Sequence, residues 1–169
     1  GADSPLFVLG CSPVSLTAIG DILETIRQEG IDVYHEGIPD EPTKDFVTPT
    51  IVPIKPDARS GSNDPALLVQ YKNQPMGEGL GQDEHERLAC GSQVWKIDPP
   101  NGPGLAVMTC SEAMNDDLCH EITQFARESN MVMHVQCNPS PFNHSWTALR
   151  NDLFNGGDNV AYFCVNWGS

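Results

Sequence analysis

The sequence has few basic residues and no long apolar run. Nine lysines and arginines stand against 23 aspartates and glutamates, which gives the 169 residues a formal net charge of −14. A charge of this sign repels phosphate backbones and anionic lipid surfaces. A membrane-spanning helix needs roughly 20 consecutive apolar residues, and no segment approaches that length. We therefore expect neither nucleic acid nor a membrane to be a partner of this chain alone.

The cysteines and histidines lack the spacing of a metal site or of a disulfide framework. None of the six cysteines belongs to a Cys-x-x-Cys pair, and no His-x-x-x-His spacing involves His35, His85 or His144. A chain of this length buries a core without covalent cross-links. No apolar secretory segment opens the sequence. These features predict reduced thiols, a cytoplasmic location and no metal or cofactor.

The pattern of apolar residues predicts an α/β fold in a single domain, residues 1–169, either complete in itself or excised from a longer chain. Apolar residues at helical spacing predict a helix over 16–29, with Ser15 as its N-cap and Gly30 as its stop. Strands are predicted at 6–9, 31–34, 50–52, 66–71, 93–97, 104–110, 131–135 and 160–166, and further helices at 118–129 and 144–155.

The most informative stretch is 104–114, which ends a short apolar run in a cysteine. Five apolar or small residues between Gly-Pro-Gly and Ser-Glu predict a buried strand that ends at Cys110. Side chains at strand-to-helix junctions point out of the sheet, and the N–H groups of the next helix favour a thiolate. Cys110 is therefore a candidate nucleophile. The alternative interpretation is a half-buried structural cysteine.

Four segments, taken in sequence order, resemble the nitrilase or carbon-nitrogen hydrolase superfamily. They are a strand closing on a Gly-Ile-Pro turn at 31–39, a strand leading into a lysine at 67–72, the 104–114 stretch, and a helix and strand at 146–151 and 160–166. The resemblance implies an α-β-β-α sandwich. The chain is shorter than members of that family usually are, so the sandwich is either trimmed to a core or completed by missing segments and partners.

The resemblance also implies a Glu-Lys-Cys triad that cleaves amides or nitriles through a thioester. By position, Cys110 is the nucleophile and Lys72 stabilises the oxyanion. Such chemistry needs a thiolate to attack the carbon, an ammonium to balance the developing negative charge and a carboxylate to move the proton. Without the resemblance, Lys72 would be interpreted as an ordinary solvated lysine at a strand end.

The carboxylate of the triad is harder to assign. Cys11 occupies the place where the family has its glutamate, and Glu36 stands where the family usually has a small residue. Family members often carry a second glutamate between the lysine and the cysteine. Glu78, Glu84 and Glu86 are the candidates, and we predict Glu86 as the catalytic carboxylate.

Two functional interpretations follow from these residues. In the first, the domain is a hydrolase that acts on a small-molecule amide or nitrile. In the second, it is a degenerate nitrilase-like domain with weak or absent activity that serves assembly or binding, as a homo-oligomer or with other domains of a longer chain. A Cys-His dyad of Cys110 with His120 or His134 is a rival interpretation of the site.

Overall fold

The computed structural model describes residues 10, 12–54, 65–76, 82–98, 103–114, 116–137, 147, 150–151 and 159–166. The elements in chain order are β1 (Val14–Ser15), α1 (Leu16–Gln28), β2 (Asp32–Tyr34), β3 (Phe46–Val47), β4 (Pro49–Ile54), β5 (Ala66–Tyr71), α2 (Gln82–Arg87), β6 (Lys96–Ile97), β7 (Leu105–Thr109), a 3-10 turn (Cys110–Met114), α3 (Asp116–Ser129), β8 (Met131–Gln136) and β9 (Ala161–Asn166). In this described part, no helix has both the length and the apolar character needed to cross a membrane.

The longer strands form two sheets. One has the order β2-β5-β4, with β2 parallel and β4 antiparallel to β5. The other has the order β6-β7-β8-β9, in which β6 is antiparallel to β7 and the remaining neighbours are parallel. The short strands β1 and β3 pair separately. Both β5 and β7 are therefore central strands. Lys72 follows directly after β5, and Cys110 follows directly after β7.

The alternation of side chains along the strands builds four layers. Between the two sheets lies an apolar cluster of Val52, Leu68, Leu105, Val107, Met133 and Val135. Because successive strand residues face opposite sides, the neighbouring residues of β5 pack beneath α1, and those of β7 pack beneath α3. The layer order is helix, sheet, sheet, helix, as the resemblance implies.

Helix α1 forms as its sequence predicts. The Ser15 side chain accepts a hydrogen bond from the N–H of Ala18 at 3.1 Å, which caps the first turn. After the last turn, Gly30 has a φ of +80°, a conformation that glycine adopts without a steric penalty. The inner face buries Ile19 and Leu23 against the β2-β5-β4 sheet.

Most of the other predicted elements appear with shifted bounds. The predicted strands at 50–52 and 66–71 appear as β4 and β5 and pair antiparallel, and β6 is shorter than the predicted 93–97 strand. Cys90, Cys110, Cys137 and Cys164 are free cysteines. The predicted strand at 6–9 lies outside the described residues, and so does the predicted helix at 144–155 apart from positions 147, 150 and 151.

The packing of α1 can be tested with two adjacent residues. Leu23 is 1% exposed and Ile22 is 42% exposed. We expect Leu23→Ala to lower the free energy of unfolding by about 2–5 kcal/mol, because it leaves a cavity under the helix. Ile22→Ala should change it by no more than about 0.5 kcal/mol. Urea unfolding of both variants provides the comparison, and equal losses would contradict the inner face described here.

Candidate functional site

Lys72 follows directly after β5 and is held there by its backbone. Its N–H donates to the carbonyl of Thr48 at 2.9 Å, and its carbonyl accepts from the N–H of Gly91 at 3.0 Å. The residue is 1% exposed. A buried ammonium is costly unless it is paired, and here the Oε2 of Glu84 lies 2.6 Å from Nζ. The interpretation of Lys72 as a solvated surface lysine therefore does not fit the structure.

The partner of Lys72 is Glu84, from helix α2. Its Oε2 also accepts a hydrogen bond from the N–H of Met76 at 2.8 Å, so two donors fix the carboxylate. Glu86, the carboxylate predicted from the sequence, lies exposed on the same helix. Glu78 is outside the described residues. Of the two acidic candidates that the structure describes, Glu84 forms an ion pair with Lys72.

A cavity lies beside Glu84. Its volume is about 470 Å³, and its walls are Pro13, Ser15, Asp45, Phe46, Asp83, Glu84 and Arg87. An ion pair between Arg87 and Asp45, 2.6 Å long, forms part of the wall. The side chain of Glu84 is 24% exposed, whereas that of Lys72 is 1% exposed. Glu84 therefore connects the cavity to the buried ammonium.

Cys110 lies at the end of β7 in an unusual backbone conformation. It opens the 3-10 turn with a φ of +47° and is 6% exposed. A residue with a Cβ pays roughly 1 kcal/mol or more in this left-handed region, so surrounding contacts must hold it there. One such contact is a 3.0 Å hydrogen bond between the Cys110 carbonyl and Nε2 of His134.

The tautomer of His134 follows from its other contacts. The amide Nε2 of Gln136, which can only donate, lies 3.2 Å from the Nδ1 of His134. The Tyr162 hydroxyl lies 2.5 Å from the same ring nitrogen. Since Nδ1 is the acceptor, Nε2 carries the proton that is donated to the Cys110 carbonyl. Burial, the largest cause, lowers the pKa of His134 to about 4, so the ring is neutral near pH 7.

Opposing effects act on the pKa of the Cys110 thiol. Burial raises its pKa above the ordinary value, and the charge of Glu84 acts in the same direction. The Lys72 ammonium and the backbone N–H groups of Cys137 and Ser111 lower it. The ammonium thus acts on the thiol in the direction expected for a triad, but the effect of burial on the pKa is larger.

Glu112 is a buried carboxylate that sequence reasoning missed. It is fully buried, with Oε1 2.8 Å from the N–H of Asn73 and Oε2 2.6 Å from the N–H of Thr109. Burial raises its pKa to about 7, against the opposing effects of these two N–H groups and of Lys72. The available signal was that Glu112 is the only charged residue in the 104–114 stretch.

The remaining carboxylate candidates do not bind the thiol directly. The Oε2 of Glu36 accepts from the N–H of Ser92 at 2.7 Å and from its hydroxyl at 2.5 Å. Cys11 lies outside the described residues. In the part of the chain that the structure describes, no carboxylate is hydrogen-bonded to the Cys110 sulfur.

The described histidines of the rival sites make other contacts, and His144 lies outside the described residues. His134 contacts the backbone carbonyl of Cys110, and the exposed His120 on α3 lies 3.2 Å from the side-chain amide of Gln124. His35 contacts the side chain of Arg27 and the N–H of Gly37. Over the described ranges, no three His, Cys, Asp or Glu side chains are grouped so as to hold a metal ion.

The fold is similar to that of bacterial amidases of known structure. An amidase from Nesterenkonia sp. matches 92% of this chain and 57% of its own, with 16% identity and a TM-score of 0.50. A Glu-to-Gln mutant of the amidase from Nesterenkonia sp. AN1, with acrylamide added at its active-site cysteine, matches 90% and 56% of the two chains, with 14% identity and a TM-score of 0.51. A Cys-to-Ala mutant of the Nesterenkonia AN1 amidase, described as from the nitrilase superfamily, matches 92% and 57%, with 15% identity and a TM-score of 0.48.

No protein-family model matches the chain, and no curated protein matches it significantly. Identities this low show the fold alone, and the first two matches carry that conclusion. The chain has a nitrilase-like α/β fold, as predicted, and it spans little more than half the length of the amidases that it matches.

The burial of His134 should lower the stability of the folded chain at acid pH. Its pKa is about 4 in the folded chain and near 6.5 when unfolded, so between these values the unfolded state binds more protons. The free energy of unfolding should therefore fall as the pH drops from 6.5 to 4, by up to about 3 kcal/mol from this residue. His134→Gln should flatten this dependence in urea unfolding at several pH values.

Tyr162→Phe provides the control for that experiment. It removes the hydroxyl that contacts Nδ1 but keeps the imidazole, so the chain should be less stable and still acid-sensitive. An unchanged slope in His134→Gln would show that the imidazole does not lose its proton on folding.

Proposed function

We propose that this domain is a carbon-nitrogen hydrolase in which Cys110 attacks an amide or nitrile carbon and forms a thioester. The observation that carries the proposal is the buried ion pair of Lys72 and Glu84, because the charges of both side chains act on the Cys110 thiol. A fixed cation and a carboxylate beside a nucleophile are the groups that acyl transfer requires. Ionisable groups with perturbed pKa values, such as the Cys110 thiol, cluster at functional sites more often than elsewhere.

Each residue has a defined role in an amide reaction. The Cys110 thiol loses its proton to Glu84, and the sulfur forms a bond to the carbonyl carbon. Lys72 donates a hydrogen bond to the oxygen as it becomes negative. The carbon-nitrogen bond then breaks, and the nitrogen leaves as ammonia with the proton from Glu84. Water hydrolyses the thioester to the acid and regenerates the thiol.

Two features of the site support Glu84 as the acid-base group. Its Oε2 contacts the ammonium, and the residue also lines the cavity beside α2. Glu86, two residues further along the helix, is exposed. We therefore assign to Glu84 the role that was predicted for Glu86.

A second candidate function is supported by the state of the thiol. Its pKa is raised, and no described carboxylate is hydrogen-bonded to its sulfur. Cys11 stands where the family has a glutamate. A nitrilase-like domain without turnover would act through its surfaces, by forming a homo-oligomer or by docking to other domains of a longer chain.

Ammonia release separates the two functions. If the domain is a hydrolase, simple aliphatic amides or nitriles should yield ammonia at a rate that disappears in Cys110→Ala. Lys72→Met should lower kcat by about 10²- to 10³-fold, the usual effect of removing one oxyanion donor.

The exposed Glu86→Gln is the matched control for Glu84→Gln, and a loss confined to Glu86→Gln would contradict our assignment. The absence of ammonia from every substrate would favour the second function.

Covalent labelling tests the nucleophile without turnover. Acrylamide is a suitable probe, since it carries the amide group of the proposed substrates and adds to the active-site cysteine of a Glu-to-Gln mutant of the Nesterenkonia sp. AN1 amidase. Burial raises the pKa of the Cys110 thiol, but an amide bound at the site is held against the nucleophile, so we expect acrylamide at neutral pH to modify Cys110 faster than the exposed Cys137 and Cys164, as mapped by mass spectrometry. Lys72→Met should slow labelling at Cys110 alone. Equal or slower labelling of Cys110 in the unmodified chain would count against a nucleophilic role.

A further inference from the structure

We propose that Glu112 is a positioning residue that fixes the Lys72 ammonium relative to the Cys110 thiol across the two sheets. The inference rests on the proposed roles of Lys72 and Cys110. The Glu112 carboxylate is not hydrogen-bonded to the side chain of Lys72 or of Cys110. It accepts hydrogen bonds from the backbone N–H groups of their neighbours, Asn73 after Lys72 and Thr109 before Cys110.

The geometry of these two contacts carries the argument. Thr109 is the last residue of β7 in the four-stranded sheet, whereas Asn73 follows β5 of the three-stranded sheet. One carboxylate oxygen accepts from each N–H, at 2.6 and 2.8 Å. A rigid planar group therefore joins the carboxyl ends of two central strands, each next to a residue of the site. The Glu112 side chain therefore sets the distance between the end of β5 and the end of β7.

Two other polar contacts also join the two sheets. The hydroxyls of Thr50 and Thr109 are 2.9 Å apart, and the Gln70 amide donates to the Val107 carbonyl at 3.3 Å. These contacts connect the sheets through side chains within the strands. The Glu112 contacts instead join the sheets through backbone N–H groups, that of Asn73 beyond β5 and that of Thr109 at the last residue of β7.

The cost of keeping this carboxylate supports a functional reason for it. Burial raises the pKa of Glu112 to about 7, so the fold maintains a carboxyl group in an environment that disfavours its charged form. Lys72 and Glu36 are the charged groups that act on it, with opposite effects on its pKa. A carboxylate offers two acceptor atoms, and its amide isostere offers only one.

Titration of the thiol tests this inference independently of turnover. The apparent pKa of Cys110 is measured from the ultraviolet absorbance of the thiolate, as the difference between each chain and the same chain with Cys110→Ala. Lys72→Met should raise this pKa, since it removes the nearby positive charge. Glu112→Gln keeps the shape but leaves one N–H without an acceptor, so it should raise the pKa by a sizeable part of that amount.

The double variant decides whether Glu112 acts through Lys72. In the Lys72→Met background, Glu112→Gln should produce little further change in the pKa of Cys110. An unchanged pKa in Glu112→Gln, or an equal shift with and without Lys72, would overturn the proposal. Glu112→Asp keeps the charge but is too short to reach both N–H groups, so it should resemble Glu112→Gln and serves if the amide variant does not fold. A chain without hydrolase activity but with this coupling would contradict the proposed function alone.

Discussion

The site depends on how the fold compensates one buried positive charge. Lys72 has 1% of its surface exposed, and its single described ionic partner is Glu84 at 2.6 Å. The desolvation of an ammonium costs several kcal/mol, which only a close and well-oriented anion offsets. Helix α2 and the N–H of Met76 hold that anion in place. Without Glu84 the ammonium would lose its ionic partner. The position of its charge relative to the Cys110 thiol would then no longer be fixed.

The two sheets bring this charge to the thiol. Their facing sides are apolar along most of their length, and the polar groups gather at the strand ends. His134 fixes the carbonyl of Cys110 from the α3 side of the sheet, and Glu112 links the backbones next to Lys72 and Cys110. The residues of the site are thus supported by three kinds of contact: an ion pair, a neutral imidazole and a buried carboxylate. Each is satisfied only in the assembled α-β-β-α arrangement.

The sequence predicted local features well and long-range contacts poorly. Helix α1 was predictable because its apolar spacing, the Ser15 cap and the Gly30 stop are all local signals. The choice between Glu84 and Glu86 was not, because two residues along a helix differ by about 200° in direction and a six-residue helix leaves its phase undetermined from sequence. The contact of His134 with Cys110 joins β8 to the end of β7, and no local pattern encodes it.

Burial explains the other differences between expectation and structure. The strand-to-helix junction was expected to favour a thiolate at Cys110, and the Lys72 ammonium and the Ser111 N–H do lower the pKa of the thiol, but desolvation has the larger effect. Glu112 was overlooked because an acidic residue after a strand usually lies in solvent, whereas this one satisfies two backbone donors inside the protein. Neither effect can be deduced without knowing which strands become neighbours.

Trapping of the covalent intermediate tests the central claim most directly. The chain is mixed with a simple amide or nitrile, quenched in acid and analysed by mass spectrometry. We expect a mass increase equal to the acyl group, located on the peptide that contains Cys110 and released by hydroxylamine, as a thioester is. An adduct on a different residue, or ammonia release with no adduct on Cys110 under single-turnover conditions, would contradict the account.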